Sequence, residues 1–340
     1  MTRAAVLAGF GTCLPARLVT NEELAARVGR TDAWIRARTG IERRYFAPEG
    51  TSTADLATGA GAQALKCSGV PQADTVVLAT VTPDRPCRAV APVVASGLGL
   101  HQAAAYDVSA GFGGFLYGLA TAAGLIGCGA AERALVIGAD TLSRRLDPAD
   151  RPTAVSYGDG AGAVLLRAGE PDEPGALGPV SLGSDGEGTG AVSVRDGDDT
   201  GTAPAGTAPA GTAPGHRPGR WAVRENRRAF WLGVQRMAQS AQCVLDRAGW
   251  PAGDVSHLVT HQANHRIVER LADELGIPRE RGICNISEVG NTATASLPLT
   301  LGHAHAARLP KPGDRVLLTA FGGGLTWGAT VLTWPAIDRD

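Results

Sequence analysis

The chain has 340 residues, 44% of them hydrophobic and 19% charged, a balance that supplies the apolar surface for one or two globular domains of ordinary size. Its formal net charge is −1, which excludes a general electrostatic case for nucleic acid or an anionic membrane. No apolar run approaches the length of a membrane span, and the apolar stretch 4–10 is too short for a signal peptide, so a cytoplasmic location is expected.

In chain order, residues 4–9 read as a strand, and Thr20-Asn21-Glu22-Glu23 supplies a cap and an acidic first turn for a helix running to about Val28. A second short helix over 32–38 carries Trp34, Arg36 and Arg38, and a third covers 52–67. The β-branched run 75–80 is a strand, 89–98 an alanine-rich helix and 134–138 a further strand of the buried type. Before that last strand lies Asp107-Val108-Ser109-Ala110-Gly111-Phe112-Gly113-Gly114-Phe115-Leu116-Tyr117-Gly118, after an apolar lead-in over 103–106 and ahead of a small-residue run, 119–127, with helical character. Strand, glycine-rich turn and helix together lift one side chain to the head of a helix, where unpaired N–H groups and the positive dipole end favour a developing negative charge. The side chain so placed is Phe112, which cannot act as a nucleophile. The plain alternative is that these glycines only allow close helix packing.

From Tyr157, a glycine turn Gly158-Asp159-Gly160-Ala161-Gly162-Ala163 feeds a strand and closes the first half. The second half repeats the alternation: a long amphipathic helix over 227–249, a strand over 257–260, helices over 267–276 and 296–307, a strand over 316–320, the glycine turn 321–328 and an apolar strand over 329–334. An α/β fold built by duplication of one unit follows, with halves at 1–170 and 171–340. The segment 186–220, in which Gly-Thr-Ala-Pro-Ala recurs, reads as a flexible surface insertion, because repeated Pro and Gly without apolar periodicity buries too little surface.

The six cysteines, Cys13, Cys67, Cys87, Cys128, Cys243 and Cys284, show neither CxxC pairs nor metal-ligand spacing, so reduced thiols and no metal are expected. A nucleotide-binding protein is disfavoured, since Gly158 to Gly162 precedes a strand where phosphate binding needs a helix start, and no Gly-Lys-Ser/Thr element occurs. Three further pieces carry possible chemistry. His261-Gln262-Ala263-Asn264 follows directly on a strand, at the edge where open α/β sheets place their sites. Gly290-Asn291-Thr292 precedes a helix, and Asp150-Arg151 lies in a loop. Singly, such residues are most often structural or caps.

Together, and in this order, the Phe112 elbow, Gly158 to Ala163, His261 to Asn264, Gly290 to Thr292 and Gly322-Gly323-Gly324-Leu325-Thr326-Trp327-Gly328 resemble the β-ketoacyl-acyl-carrier-protein synthase III family of the thiolase superfamily. Trp34-Ile35-Arg36-Ala37-Arg38-Thr39-Gly40-Ile41 extends the resemblance over nearly the whole chain, the pentad insertion apart. The resemblance implies a thiolase-like five-layered α-β-α-β-α sandwich of two similar halves, usually a homodimer. It implies no permanently bound cofactor, with a coenzyme A or phosphopantetheine thioester as substrate and acyl carrier protein as partner. His261 and Asn291 match the family's decarboxylating and oxyanion-holding pair, and Phe112 matches the position of its acyl-accepting cysteine. Trp34, Arg38, Arg151 and Asn264 match coenzyme A contacts, Arg266 a basic position at the tunnel mouth, and Phe321 a position beside the glycine turn in the substrate-binding set. Arg85-Pro86-Cys87-Arg88 departs from an aromatic-proline pair in the family and alters the expected acyl pocket.

Without a thiol at 112 the family's acyl-enzyme cannot form there. An enzyme of polyketide or related metabolism that transfers an acyl group directly, or decarboxylates a malonyl-type thioester, is expected. Two alternatives stay open: a non-catalytic partner subunit of an active ketosynthase, and a Cys-to-Phe form of an ordinary acyl-coenzyme A-primed synthase.

Overall fold

The computed structural model describes residues 3–146, 151–187, 193–195, 220–222 and 226–337. Its first half runs β1 (Ala4–Cys13), β2 (Arg17–Thr20), α1 (Asn21–Val28), α2 (Asp32–Thr39), β3 (Arg43–Phe46), α3 (Thr53–Cys67), β4 (Thr75–Ala79), α4 (Ala91–Gly97), β5 (Ala104–Val108), α5 (Gly114–Gly127), β6 (Arg133–Asp140), α6 (Arg151–Ala154) and β7 (Gly160–Gly169). The second runs β8 (Leu177–Ser184), β9 (Ser193–Arg195), β10 (Arg220–Ala222), α7 (Asn226–Ala248), β11 (His257–Thr260), α8 (His265–Leu275), β12 (Gly282–Ile283), α9 (Ile286–Val289), α10 (Ser296–Ala307), β13 (Arg315–Gly322) and β14 (Thr326–Thr333).

Local chemistry sets many of these boundaries. The Thr20 hydroxyl accepts from Glu23 N at the head of α1, and Gly29, at φ 61°, ends that helix in the left-handed region. Ser52 and Asp55 cap α3 reciprocally, Asp55 N donating to Ser52 Oγ at 3.0 Å and Ser52 N to Asp55 Oδ2 at 2.8 Å. The Ser52 N–H on the carboxylate, with the Ser52 side chain, holds the Asp55 carboxyl below its ordinary range.

Two five-stranded sheets form, in the orders β1-β7-β6-β4-β5 and β8-β14-β13-β11-β12. In each, neighbours among the first three strands pair antiparallel and neighbours among the last three pair parallel, so the halves repeat one topology strand for strand. Strand alternation then assigns the layers. Val76 and Leu78 of β4, with Leu135 and Ile137 of β6, face α3 and α4. Val77 and Val136 face the other way, where Phe115, Leu116 and Leu119 of α5 and Leu297 and Leu301 of α10 fill the space to Val316 and Leu318 of the second sheet. Leu258, Leu317 and Val331 face α7 and α8 on the far side. The result is the five-layered α-β-α-β-α sandwich.

Several sequence expectations are corrected. Gly160 and Gly162 lie within β7 and form no turn, because α10 crosses so closely that a Cβ at Gly162 would stand 2.5 Å from Leu299 N. The helix expected from 119 begins at Gly114, directly behind the elbow. The strand expected to end at Gly9 continues to Cys13, since its whole length pairs with β7. The paired strands β2 and β3 and the edge strand β8, rich in Gly, Ser and Pro, gave no strand signal in the sequence. Within the segment read as a flexible insertion, Ser193–Arg195 pairs antiparallel with Arg220–Ala222, so this part is ordered as a ribbon. The pentad repeats themselves lie outside the described residues. Among the described residues, no helix is long and apolar enough to cross a membrane, and no cluster of His, Cys, Asp and Glu has metal-binding geometry.

Candidate active site

The elbow after β5 is shaped from the other half of the chain. Gly111 sits at φ 54°, and a Cβ there would overlap the carbonyl oxygen of Gly323, while a Cβ on Gly322 would overlap Phe112 N. The turn between β13 and β14 therefore lies directly on the elbow, and Thr326 Oγ1 donates to Ala110 O at 2.6 Å to hold it there. Gly111 and Gly322 are the positions that this close approach requires. No side chain caps the first turn of α5, leaving the positive end of a fourteen-residue helix behind Phe112.

Phe112 is 7% exposed and packs with Leu142, Tyr157 and Ala293. Its ring meets Tyr157 edge-on at 6.0 Å between centroids and tilts against the His261 ring at 5.5 Å. His261 follows the C-terminal end of β11, and its backbone N donates to Thr319 O at 3.0 Å. Burial without a compensating charge lowers its pKa from 6.5 to about 4, so the imidazole is neutral at physiological pH. Both ring nitrogens are buried and have no hydrogen-bond partner among the described residues.

Asn291 is brought to the same cluster by its backbone. Its N donates to Ser156 O at 2.9 Å and its carbonyl accepts from Gly158 N at 3.0 Å, on either side of Tyr157. Its Oδ1 accepts from Ala293 N at 3.0 Å, which commits the oxygen and makes Nδ2 the donating end of the amide. The structure thus gathers Phe112, His261 and Asn291 around Tyr157 and Ala293.

Two buried groups that sequence reasoning missed support this arrangement. Asp140, at the end of β6, accepts at Oδ1 from Thr80 Oγ1, Val81 N, Thr82 N and Thr82 Oγ1, and at Oδ2 from Thr294 N and Thr294 Oγ1. It ties the Asn291 segment to the ends of β4 and β6. Burial raises its carboxyl pKa against the pull of those donors. Arg44, wholly buried, donates to Asn21 Oδ1 and to Val155 O, each at 2.7 Å, and burial lowers its pKa to about 10. Its Cβ would lie 3.2 Å from a Cβ on Gly290. A carboxylate after an apolar strand, or an arginine inside Arg43-Arg44, is a weak signal in a sequence, since either is usually solvated.

Trp34 and Arg38 stand together on α2, where the guanidinium groups of Arg30 and Arg38 lie 5.1 and 5.2 Å from the Trp34 ring centroid. Asn264 caps α8, its Oδ1 accepting from Arg266 N at 2.9 Å, and its Nδ2 donates to Arg38 O at 2.8 Å. Arg266 donates to Ala37 O at 2.7 Å. Asn264 and Arg266 therefore join the start of α8 to the end of α2. Arg151 opens α6, and its side chain lies outside the described residues. Phe321 packs in the outer core against Gly233 of α7, away from the Phe112 cluster. Residues 85–88 are exposed. Cavities of about 570 and 440 Å³ open elsewhere on the chain, and neither is bordered by Phe112, His261 or Asn291.

Comparison with known proteins places the chain in a family. Residues 245–334 match the family described as 3-oxoacyl-[acyl-carrier-protein (ACP)] synthase III C terminal, and residues 106–186 match 3-oxoacyl-[acyl-carrier-protein (ACP)] synthase III. The chain is 60% identical over 340 residues to β-ketoacyl-[acyl-carrier-protein] synthase III 3 of Streptomyces coelicolor, covering 99% of each. Its structure is similar to that of 3-oxoacyl-(acyl carrier protein) synthase III from Pseudomonas aeruginosa, with TM-score 0.90, 44% identity and coverage of 99% of this chain and 100% of that one. It is also similar to a priming β-ketosynthase of a polyketide biosynthetic pathway, with TM-score 0.89, 30% identity and coverage of 99% and 98%. The sandwich, the elbow pressed by the opposite glycine turn and these matches along its length agree: the chain belongs to the 3-oxoacyl-[acyl-carrier-protein] synthase III family.

Proposed function

We propose that this protein is an acyl-thioester transferase of the synthase III type in which Phe112 occupies the acyl-accepting position, so that its chemistry runs without a covalent cysteine intermediate. The observation that carries the reading is the Phe112 ring at the head of α5, 5.5 Å from the His261 ring. A phenyl ring offers no lone pair for attack, yet the neighbouring donors are kept. A neutral His261 can present an N–H, and Asn291 can present Nδ2. Such donors stabilise the enolate oxygen left when CO₂ leaves a malonyl-type thioester, or the oxyanion formed in direct acyl transfer. Coenzyme A or a carrier-protein phosphopantetheine delivers the substrate in this reading. Trp34, Arg38 and Arg151 take its adenine and phosphates, Arg266 meets an acidic carrier protein, and Asn264 fixes α8 against α2. Phe321 acts only through the outer core. A homodimer fits the same reading, because β5 is an open sheet edge and the Tyr106 hydroxyl is buried without a partner among the described residues. The names of the similar proteins support a place in fatty acid or polyketide biosynthesis.

A second reading, a non-catalytic partner subunit, is favoured by the way the Phe112 ring fills the space before His261. The 60% identity to a relative named as a synthase favours a third, an ordinary synthase whose cysteine is replaced here. A mass-spectrometric time course with malonyl-, acetyl- and propionyl-coenzyme A, with and without carrier protein, separates them when the parent is compared with Phe112→Cys. CO₂ loss or acyl transfer by the parent, without an adduct at residue 112 and abolished in His261→Ala and Asn291→Ala, is the expected result. A silent parent beside an acylated, condensing Phe112→Cys protein refutes it.

A further inference from the structure

A second thiol lies close to the junction of α2 and α8, in a setting the first site does not use. Cys284 follows β12, partly buried; its thiol donates to Oε1 of Gln262, the neighbour of His261, at 3.0 Å, and Nδ1 of His265 stands 3.7 Å from Sγ. His265, the first residue of α8, has Nε2 3.6 Å from Oε1 of Glu269 one turn along. The Glu269 carboxylate thus lies on the Nε2 side of the ring, opposite the nitrogen that faces the thiol. Nucleophile, base and orienting carboxylate thus stand in sequence, at the looser distances usual before substrate binds. Arg279 lies 3.5 Å from the same Glu269 oxygen.

The placement adds a substrate. The His265 Cβ lies 2.5 Å from where a Cβ on Gly40 would stand, so the imidazole abuts the end of α2, the helix of Trp34 and Arg38. The His265 side chain is half exposed, which gives an incoming thioester access to the base.

We propose that Cys284, His265 and Glu269 form a second site that accepts an acyl group from a coenzyme A thioester, a proposal that rests on the reading of this protein as one that binds such thioesters. As Sγ attacks the thioester carbonyl, the thiol proton turns from Gln262 Oε1 to His265 Nδ1, which takes it. The tetrahedral adduct then collapses, the bond from the carbonyl carbon to the coenzyme A sulfur breaks, and the departing thiolate takes the proton from His265. The products are S-acyl Cys284 and free coenzyme A, with no oxidant, reductant or metal involved. Burial pushes the Cys284 thiol pKa up, so the thiol reacts through its base and not as a standing thiolate.

The test incubates the full-length protein with acetyl- and propionyl-coenzyme A and follows acyl adducts by peptide mass spectrometry, with the exposed Cys87, Cys128 and Cys243 as internal references. The expected result is an acyl group on Cys284 that forms faster than on the three references and slows about 100-fold in His265→Ala, the scale of a lost general base. Glu269→Gln, which keeps the side chain's size and removes its charge, slows it to a smaller extent. Acylation confined to the exposed cysteines, or an unchanged Cys284 rate in both variants, overturns the proposal. Calorimetric titration with coenzyme A separates the two readings. Binding without a Cys284 adduct removes the second site alone, whereas no binding removes the thioester reading with it.

Discussion

The buried imidazole of His261 makes stability depend on pH in a direction that can be worked out. In the unfolded chain it titrates near its ordinary 6.5, and in the folded protein near 4. Between those values the unfolded chain binds a proton that the native protein does not, so unfolding becomes easier as pH falls. The contribution is fully present above 6.5 and disappears at about 1.4 kcal/mol per pH unit below it. The loss is about 2 kcal/mol by about pH 5 and about 3 kcal/mol by about pH 4, a sizeable part of a typical folding free energy. Asp140 and Asp159, whose carboxyl pKa values burial raises, act in the opposite sense, because the native protein keeps their protons to higher pH than the unfolded chain does. The measurement is therefore a comparison. Urea unfolding at about pH 7 and about pH 5 is followed for the parent and for His261→Gln, which cannot titrate, with the slope m checked for constancy. The parent should lose about 2 kcal/mol more than the variant between the two conditions. Equal losses in both proteins would refute the assignment of a neutral, desolvated His261.

Gly111→Ala must place a side chain at φ 54° and against Gly323 O. The two penalties together cost about 3 kcal/mol in urea unfolding, and an unchanged midpoint would show that the glycine turn does not press on the elbow. Asp140→Ala leaves the donors of Thr80, Thr82 and Thr294 buried and unanswered, and should destabilise by about 3 to 5 kcal/mol, with Asp140→Asn milder because it restores part of the acceptor. A loss under about 1 kcal/mol would mean water or neighbouring groups replace the carboxylate. Thr326→Val removes the bond to Ala110 O and should cost about 1 kcal/mol, read as a shift in urea midpoint; stability equal to the parent's would show that this bond does not hold the elbow.

Some of the site was legible before any coordinates. The elbow reading placed Phe112 at a helix head, and Gly113 does precede α5 there. His261 was placed at a strand end because the run 257–260 is short, apolar and β-branched, and β11 covers those residues. The role of the glycines was not legible. Gly162 and Gly322 look alike in sequence, yet one lets α10 cross β7 and the other lets a distant turn touch Phe112 N. A glycine reports that a side chain is absent, not which part of the chain uses the room. Asp140 and Arg44 escaped for a related reason, since the donors and acceptors that satisfy them come from segments as far as Thr294 and Val155.

What the sequence determined by itself is the order of the longer helices and of the apolar inner strands, because side-chain periodicity, caps and β-branched runs act over a few residues and are written locally, while β2, β3 and β8 form only through their partners. The tertiary structure decided which side chains share a site and in what protonation state. It set the Phe112 ring against His261, left that imidazole neutral by withdrawing water from it, and joined α8 to α2 through Asn264. Each of these rests on contact between residues more than a hundred positions apart, and such contact is fixed only when two sheets close on one shared helical layer.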